Sequence, residues 1–560
     1  MKKASVNKVR DALGKELKRS MRELKAPGHP RPYFISYLFR DVESYEVWGR
    51  YGALCSEKKD HKRNCYADVR VGNYRYDHVT KGGLSDNSTE NESYELIEMP
   101  VEDSEDAIRF GLWRLTDAKY REAVSAYHGR KSRDVSYLDE NKTMPSFEKH
   151  AAVVDLSHIK THKVDYEHFQ NLVKKASLVF KKYPEIKSSF CEFTAEVVTK
   201  IYVSSEGVER VWQQLVFSLS AYMWYHTKKV NQDYTLVTHT CDISELPDLK
   251  TFKRQIEEKV EALYQLESSH EMTSFAGPVL LAPKPAGLFI HEVVGHRLEG
   301  NRLLSENEGR TFKDRVGQKI MHEGLTIYDD PALRAFSGNT LVGHYPFDDE
   351  GVAPQKSLLV EKGVLKGFLT TRSPIKKTRH RSNGHARNHF HERPISRMGN
   401  LVIESHDGKD WAELKEQLIQ LVKKKKAPYG FILLEVEGGE TETEAYDFQA
   451  FLGDITTAVK VYPTGREVLV RGVDFVGTPL SSLANIVAVG KDYHVDNGYC
   501  GAESGTIPVS TISPALLLSN LELQLKNPAK VTQYALPLPW FDQKETSSRS
   551  KPKRPRKSST

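Results

Sequence analysis

From Gly277 onward, short segments rich in β-branched and aromatic residues alternate with turns that contain glycine or proline. This alternation is typical of an antiparallel sheet, because each strand returns through a tight turn. The predicted strands of this part are residues 279–282, 357–368, 399–404, 430–437, 450–461, 506–510 and 515–526. Predicted helices interrupt the series at residues 286–299 and near residues 411–425. We therefore expect a mostly antiparallel β domain that begins near residue 270.

The first half of the chain has a mixed α and β pattern. Residues 4–25 place apolar side chains three or four positions apart, which predicts a basic amphipathic lead helix over residues 1–26. Packing onto the protein is the simplest role for this helix, and binding to a membrane surface or a partner is the alternative. Strands are predicted at 33–53, 66–79, 192–203 and 208–223, and helices at 104–127, 166–182 and 248–268. The predicted fold class is α+β, with a mixed α/β N-terminal domain over residues 27–269 and the β-rich domain over residues 270–543.

The formal net charge of +6 arises at the two ends of the chain. Residues 1–25 and residues 544–560 each carry +6, so the body between them carries about −6. A folded core that binds nucleic acid needs a basic face, so the acidic body disfavours this function. Only the basic tail could bind nucleic acid. Residues 544–560 consist mainly of serine, proline, lysine and arginine, which predicts a disordered basic tail.

The apolar runs of the sequence are too short for a membrane span or a signal peptide. None approaches the roughly 18 residues of a spanning helix, and the amino terminus lacks the apolar region of a secretory signal. The five cysteines are odd in number and lack CxxC spacing, which disfavours a disulfide scaffold. We therefore expect a cytoplasmic protein without a membrane span, in a reducing compartment.

The most informative motif lies in the predicted helix after residue 282. His291, Glu292 and His296 place two imidazoles and a carboxylate close together, which suggests zinc with a general base, as in H-E-x-x-H peptidases. Here the histidines are five residues apart, so a regular α-helix would turn them about 140° away from each other. We therefore predict a π-bulge or a sharp turn near Gly295, where glycine permits the distortion.

A zinc site needs at least a third protein ligand. Glu299, another histidine or a thiolate could provide it, and Cys500 is the best candidate. It lies in a glycine-rich segment, residues 496–505, which we interpret as a loop just before a strand. An inert loop cysteine remains the alternative, and Glu299 is better interpreted as a group that supports a ligand or as a surface carboxylate.

Two further clusters are less specific. His380, His385, His389 and His391 alternate with Arg379, Arg381, Arg387 and Arg393, so this segment could hold a second metal, orient a substrate or be an ordinary solvated loop. Asp348, Asp349 and Glu350 could bind a hard cation, but a turn before a strand explains them equally well.

The motif at residues 291–300, His-Glu-Val-Val-Gly-His-Arg-Leu-Glu-Gly, resembles the signature of the TldD/PmbA metallopeptidase family, in particular its zinc-carrying TldD branch. The resemblance continues in the same order through residues 325–330, 348–352, 361–367, 382–387, 394–400, 437–440 and 500–509. It is strong over residues 270–530, weak over the first half and absent from both basic ends.

This resemblance implies roles for individual residues. His291, His296 and Cys500 would be the zinc ligands and Glu292 the catalytic base. His385 and Arg387 fall in the matching segment at residues 382–387 and are candidates for substrate binding. The family's PmbA/TldE branch lacks the metal and pairs with the TldD type in a peptidase that cleaves unfolded or peptide substrates. The resemblance therefore implies a catalytic subunit in a homodimer or in a heterodimer with a TldE/PmbA-type subunit.

The expected function is a zinc-dependent peptidase in which Glu292 takes the proton of a zinc-activated water. Gly438 and Gly439 suggest a strand edge that could hold a substrate main chain by strand addition. The alternative function is a non-proteolytic, metal-containing regulator or scaffold subunit.

Overall fold

The computed structural model of the protein describes residues 1–79, 98–136, 144–159, 162–305, 308–376, 381–444, 450–525, 534 and 536–541. The predicted disordered tail, residues 544–560, lies outside the described residues, and so do Arg379 and His380.

The first half of the chain builds a sheet with helices packed on it. Its helices are α1 (Lys3–Glu23), α2 (Glu105–Ser136), α3 (Tyr166–Ser177) and α4 (Leu249–Leu266), with short 3-10 turns at Leu178–Lys182 and Ile243–Glu245. Its strands are β1 (Pro32–Arg50), β2 (Ala53–Asn73), β3 (Tyr76–Asp77), β4 (Val153–His158), β5 (Ile186–Ser204), β6 (Val208–His226) and β7 (Asn231–Thr240). The described strands form a sheet in the order β3-β2-β1-β5-β6-β4, and β7 pairs with the other part of β6.

Local sequence explains where these elements begin and turn. Asp165 and Asp248 cap α3 and α4, because their carboxylates accept the backbone N–H groups of His168 (3.1 Å) and Thr251 (2.8 Å). The β1–β2 hairpin turns at Tyr51 and Gly52, both with positive φ, as tight two-residue hairpins require. The predicted lead helix is confirmed as α1, which buries its apolar stripe against the sheet and α2.

The second half is dominated by β-strands. Its helices are α5 (Pro283–Ile290), α6 (Trp411–Lys424) and α7 (Pro479–Ala484). Its longer strands are β9 (Phe275–Leu281), β10 (Leu325–Asp329), β13 (Ser357–Glu361), β17 (Asn400–Ser405), β18 (Gly430–Thr441), β19 (Phe451–Val461), β20 (Glu467–Arg471), β21 (Val473–Gly477), β22 (Ile486–Ala502) and β23 (Gly505–Leu525). Two-residue strands complete it: β8 (His270–Glu271), β11 (Ala335–Phe336), β12 (Asn339–Thr340), β14 (Val364–Leu365), β15 (Ala386–Arg387) and β16 (Ile395–Ser396).

The large sheet closes on itself in part. The path runs from β23 through β9, β18, β19 and β21 and returns to β23. Among the described pairs of this sheet, β17–β23, β9–β18 and β8–β20 are parallel and the others antiparallel. Helix α5 packs on β18, β22 and β23 and adds Phe289 and Ile290 to the core of the domain. The predicted fold class is confirmed: mixed α/β structure precedes a mostly antiparallel β domain.

Buried ion pairs join the two halves of the chain. Lys200 on β5 donates to Asp349 at 2.7 Å, and Arg372 donates to Glu206 at 2.7 Å. The carboxylate of Asp348 accepts the backbone N–H groups of the turn that follows it. The acidic triplet is therefore a turn and an interdomain anchor.

Several local predictions differ from the structure. The strands predicted at 506–510 and 515–526 form the single strand β23, because no turn interrupts the buried run between them. Residues 496–505 form the end of β22 and its hairpin turn into β23, so the predicted loop is wrong. None of the described helices has the length and apolarity that crossing a membrane requires.

Candidate metal centre

The helix that carries the metal motif changes its winding at His291. The α-helical turns of α5 end at Ile290, residues His291–Gly295 form a π turn, and residues His296–Leu298 form a 3-10 turn. The N–H of His296 bonds to the carbonyl of His291, five residues earlier. A π turn adds about one residue per turn, so side chains five apart lie on one face. The predicted π-bulge is confirmed.

Gly295 has a different role from the predicted one. Its φ of −52° and ψ of −62° are ordinary right-handed helical values that any residue adopts. A Cβ at this position would overlap the sulfur of Met398. A larger residue would therefore displace the end of the Met398 side chain, whereas the backbone angles at this position do not need glycine.

His291, His296 and Cys500 come together in the interior. One donor atom from each lies within 4.8 Å of the others, and all three residues are buried. The Sγ of Cys500 is 3.3 Å from Nε2 of His296. Two ligands of one tetrahedral zinc ion lie about 3.3–3.6 Å apart, given zinc–nitrogen and zinc–sulfur bonds of about 2.0–2.3 Å. Two imidazole nitrogens and one sulfur therefore form a donor set that fits zinc.

Each histidine is oriented through its other ring nitrogen. Nδ1 of His296 is 3.3 Å from the carboxylate of Glu299, and Nδ1 of His291 is 3.4 Å from the hydroxyl of Thr511. Metal-binding histidines usually donate this second N–H to a carboxylate or another acceptor. Glu299 therefore lies behind the His296 ring, on the side away from the sulfur, and Nε2 of His296 faces Cys500.

Arg397 holds the cysteine in place. Its guanidinium, fully buried, donates to the carbonyl of Cys500 at 2.7 Å and to the sulfur at 3.2 Å. It also donates to the turn of the hairpin at Ser504 and Gly505. The hairpin end that carries Cys500 is thus fixed by one arginine.

Arg302 gathers the acidic groups around the centre. It donates to the carboxylates of Glu299 (2.9 Å), Glu308 (3.0 Å) and Glu503 (2.8 Å). It also donates to the carbonyl of His296 at 3.0 Å. A buried guanidinium with three carboxylates leaves a net negative shell, which favours a cation inside it.

The charges around the sulfur favour its metal-binding form. Burial alone would raise the pKa of Cys500, but the His296 and His291 rings outweigh burial and hold that pKa well below its usual range. Burial also opposes charge on Glu299, but His296 and Arg302 lower its pKa to about 2. The thiolate is the form that binds metals, so the pocket prepares the sulfur for a cation.

The centre opens into a cleft of about 690 Å³. Helix α5 and the strands β7, β18 and β22 provide its walls, so both halves of the chain contribute. His239 of β7 lines it with Nδ1 2.7 Å from Ser218, and its backbone carbonyl accepts the side-chain amide of Asn497. A cleft of this size is typical of binding sites for small molecules or peptide segments.

Glu292 lies between the two histidines in sequence and reaches the same cleft. Its side chain is 5% exposed and lines the cleft. No described residue donates a hydrogen bond to its carboxylate; its backbone carbonyl accepts one from Arg297 at 2.6 Å. A buried carboxylate without a protein partner, beside three metal-binding donors, can exchange protons with a group in the cleft.

The predicted substrate-binding residues divide into two groups. Gly438 and Gly439 line the cleft, on β18. His385 and Arg387 are buried and are not among its lining residues. His385 bonds to Asp329 at 3.1 Å, and Arg387 donates to the carbonyls of Met398 and Pro508, both at 2.7 Å. Protein groups thus already occupy polar atoms of both side chains, and substrate contact by this pair stays a prediction.

The other candidate metal groups are weaker. His389 and His391 are exposed, and no metal-binding group among the described residues includes them. A second cluster, Asp41 with Glu43 and His61, is partly exposed, and Arg63 already neutralises its buried carboxylate at 2.6 Å.

The sequence interpretation assigned no role to Arg397 or Arg302. Both lie in segments that carry the family resemblance, at 394–400 and just after 291–300. Their nearness to these segments was the available signal, because the local composition around each arginine is mixed and does not indicate burial.

Comparison with known proteins finds similarity to the metallopeptidase family that the sequence motifs resemble. Residues 275–525 match the family described as the PmbA/TldA metallopeptidase C-terminal domain. A "Metalloprotease" of Archaeoglobus fulgidus is 35% identical over 263 residues, which are 46% of this chain and 56% of that protein. A "Zinc metalloprotease TldD homolog" of Saccharolobus solfataricus is 27% identical over 415 residues, 73% of this chain and 85% of that protein. The alignments with the relatives from Archaeoglobus and Methanocaldococcus jannaschii span about half of those proteins, 56% and 47%.

Solved structures share the fold. TldE from Thermococcus kodakarensis aligns with a TM-score of 0.56 at 15% identity, over 92% of this chain and 100% of that chain. A protein of Thermotoga maritima aligns with a TM-score of 0.59 at 17% identity, over 88% of this chain and 96% of that chain. These matches extend the similarity into the first half, where sequence resemblance was weak. Residues 275–525 thus match the C-terminal domain of the PmbA/TldD metallopeptidase family, and the solved structures show that the fold is shared over most of the chain.

Proposed function

We propose that the protein is a zinc-dependent peptidase that hydrolyses peptide bonds in unfolded or peptide substrates. The observation that carries the proposal is the convergence of His291, His296 and Cys500 beside the unpartnered carboxylate of Glu292 in one cleft. The relatives named as metalloproteases support a metal-dependent peptidase at the level of the family.

His291, His296 and Cys500 would hold the metal through two nitrogens and a sulfur. When bound, zinc supplies a Lewis acid that lowers the pKa of water and polarises a substrate carbonyl. Three protein donors leave a position open, whereas structural zinc sites usually have four. This donor count favours the peptidase over the regulator or scaffold alternative.

Glu292 acts as the general base in this proposal. As the water oxygen attacks the carbonyl carbon, the carboxylate takes a proton from that water. The carboxyl then returns the proton to the nitrogen of the leaving amine as the carbon–nitrogen bond breaks. Its burial in the cleft keeps bulk water from competing for the same proton.

Gly438 and Gly439 support binding of an extended main chain. β18 pairs with β9 only at residues 431–433, so its edge beyond Leu433 faces the cleft without a strand partner among the described residues. A peptide laid along this edge would form main-chain hydrogen bonds and need no particular side chain at each position. Folded proteins cannot offer such a segment, which explains a preference for unfolded substrates.

His385 and Arg387 act in this proposal as supports behind the cleft. Arg387 ties the segment after Met398 to β23, and His385 ties its own turn to Asp329 on β10. Both therefore position elements of the domain.

We also propose that the protein works as a dimer, either with itself or with a TldE/PmbA-type subunit, in the cytoplasm. The fold shared with TldE over nearly the whole chain supports a subunit of this kind. All five cysteines are free, which suits a reducing compartment.

The decisive experiment compares metal content and cleavage in the wild type and Glu292→Gln. We expect about one zinc per chain in both proteins, because Glu292 is outside the donor set, and loss of cleavage of an unfolded substrate only in the variant. Cys500→Ser should lose zinc as well as cleavage. Zinc bound at one per chain without cleavage, alone or with the partner subunit copurified from the native cell, would instead support the scaffold.

A further inference from the structure

Two strand edges face each other across the cleft. On one wall, β18 beyond residue 433 has β19 on one side and no described strand on the other. On the opposite wall, β22 pairs with β23 alone among the described strands. A Cβ at Gly438 or at Gly498 would meet no atom within 4 Å, so both walls leave open space between them. This geometry suits an extended peptide.

The lining of the cleft is acidic. Among the described lining residues, the acidic side chains are Glu292, Glu437, Glu440, Asp496 and Glu503, and the basic ones are Lys284 and Arg302. Arg302 is already neutralised, since it donates to three carboxylates. Since Glu503 is one of those three, Glu292, Glu437, Glu440 and Asp496 remain against Lys284, and this excess of carboxylates concentrates negative potential in the cleft, which attracts cations.

Two of these carboxylates lie on different strands of the lining and accept no hydrogen bond from a described residue, although the rings of His239 and His494 lie close enough to Asp496 to feel its charge. Glu440 on β18 and Asp496 on β22 form no hydrogen bond or ion pair with any described residue. Glu437, by contrast, accepts the backbone N–H of Thr235 at 2.9 Å. The carboxylate of Glu292, 5% exposed and without a hydrogen bond from any described residue, lines the same cleft and is available there to a ligand that donates hydrogen bonds.

We propose that this cleft selects extended peptide segments that carry lysine or arginine, with Glu440 and Asp496 pairing with those side chains from the two walls. The inference rests on the proposed peptidase function, because it names the substrate class of the same cleft. Along an added strand, substrate side chains lie next to the side chains of β18, and opposite charges in such cross-strand pairs attract. The open space at Gly438, two residues before Glu440, leaves room for long side chains to reach that carboxylate.

The test measures binding, so it does not depend on catalysis. The full-length Glu292→Gln protein, loaded with zinc, is titrated against two labelled unfolded decapeptides that differ only in arginine or its neutral isostere citrulline. We expect the arginine peptide to bind about tenfold more tightly at about 50 mM salt, with a smaller difference at about 300 mM because ions screen exposed charges. In Glu440→Gln/Asp496→Asn the preference should fall to about twofold or less.

The matched control is Glu404→Gln/Asp492→Asn, which removes two exposed carboxylates outside the cleft. It should keep the full preference for arginine. Equal binding of the two peptides, or a preference that survives in Glu440→Gln/Asp496→Asn, would overturn the selectivity. If neither peptide bound the zinc-loaded protein, the peptide-binding function itself would fail, and the selectivity would fail with it.

Discussion

Arg397 donates from one nitrogen to both the carbonyl oxygen and the sulfur of Cys500, at 2.7 and 3.2 Å. The same guanidinium reaches Ser504 and Gly505, so it fixes the turn of the β22–β23 hairpin and the thiolate together. A planar group with five donors can do this, whereas an ammonium cannot reach all of these acceptors.

We therefore predict that Arg397→Lys weakens zinc binding about 10- to 100-fold without abolishing it, as loss of groups behind metal ligands generally does. Competition with a chelator measures the change. Arg315→Lys, at an exposed arginine, is the control and should bind zinc like the wild type. Unchanged affinity in Arg397→Lys would mean that the hairpin alone positions the sulfur.

Glu299 provides a second test of the support around the metal. Glu299→Gln keeps the size of the side chain but removes the charge that holds His296, so zinc affinity should fall about 10-fold or more. Loss of this carboxylate also leaves Arg302 with fewer counter-ions, so the unfolding midpoint should fall. Glu404→Gln, an exposed glutamate on β17, serves as the control in both measurements.

Mutation of Gly295 can distinguish two reasons for a glycine at this position, close packing against Met398 and the backbone conformation of the π turn. Gly295→Ala should cost about 1–3 kcal/mol, since its Cβ would overlap Met398. In a double-mutant cycle by urea denaturation, Met398→Ala should recover part of that cost, with a coupling of at least about 0.5 kcal/mol. Additive effects would show that the π turn itself requires glycine.

Gly438 and Gly439 are adjacent but should respond in opposite ways to alanine. At Gly438 the added methyl meets open cleft, so we expect unchanged stability and peptide binding weakened at least about threefold. At Gly439 the methyl would lie 2.8 Å from the carbonyl of Leu452, so stability should fall by about 1–3 kcal/mol. Gly14→Ala on α1, also in open space, should leave peptide binding unchanged.

His78 predicts a pH dependence of folding. Burial lowers the pKa of His78 to about 4 from its usual value of about 6.5, so the folded state keeps the ring neutral. Its stabilising contribution is therefore complete above about pH 6.5 and is lost as the pH falls towards 4, on the order of 3 kcal/mol in all. Urea midpoints of His78→Gln should decline less steeply over this window than those of the wild type. His391→Gln, at an exposed histidine, should match the wild-type slope.

The candidate metal centre was predictable from its residue types and from the rotation per residue around an α-helix. The five-residue spacing of His291 and His296 demanded a π turn, and the structure contains one. The position of Cys500 was harder, because its segment is rich in glycine and reads as a loop. The segment is nevertheless a strand, because it pairs with the long buried strand β23. In the register of this hairpin, Cys500 lies opposite Ile507.

The supports of the centre could not be predicted from local sequence. Arg397 and His385 lie among polar residues in a segment without periodicity, and only the packed fold brings Arg397 to Cys500 and His385 to Asp329. The same holds for His239, which reaches the cleft from the other half of the chain.

The ion pairs between the halves have a practical consequence for anyone who cuts the chain near residue 270. A fragment of the β-rich domain alone would retain Asp349 and Arg372 while Lys200 and Glu206 stayed behind. Both ion pairs would be lost, and Phe347, which packs on Trp212 of the first half, would be exposed to water. The β-rich half is therefore a poor candidate for expression by itself, and loss of the N-terminal half would also remove the β7 wall of the cleft.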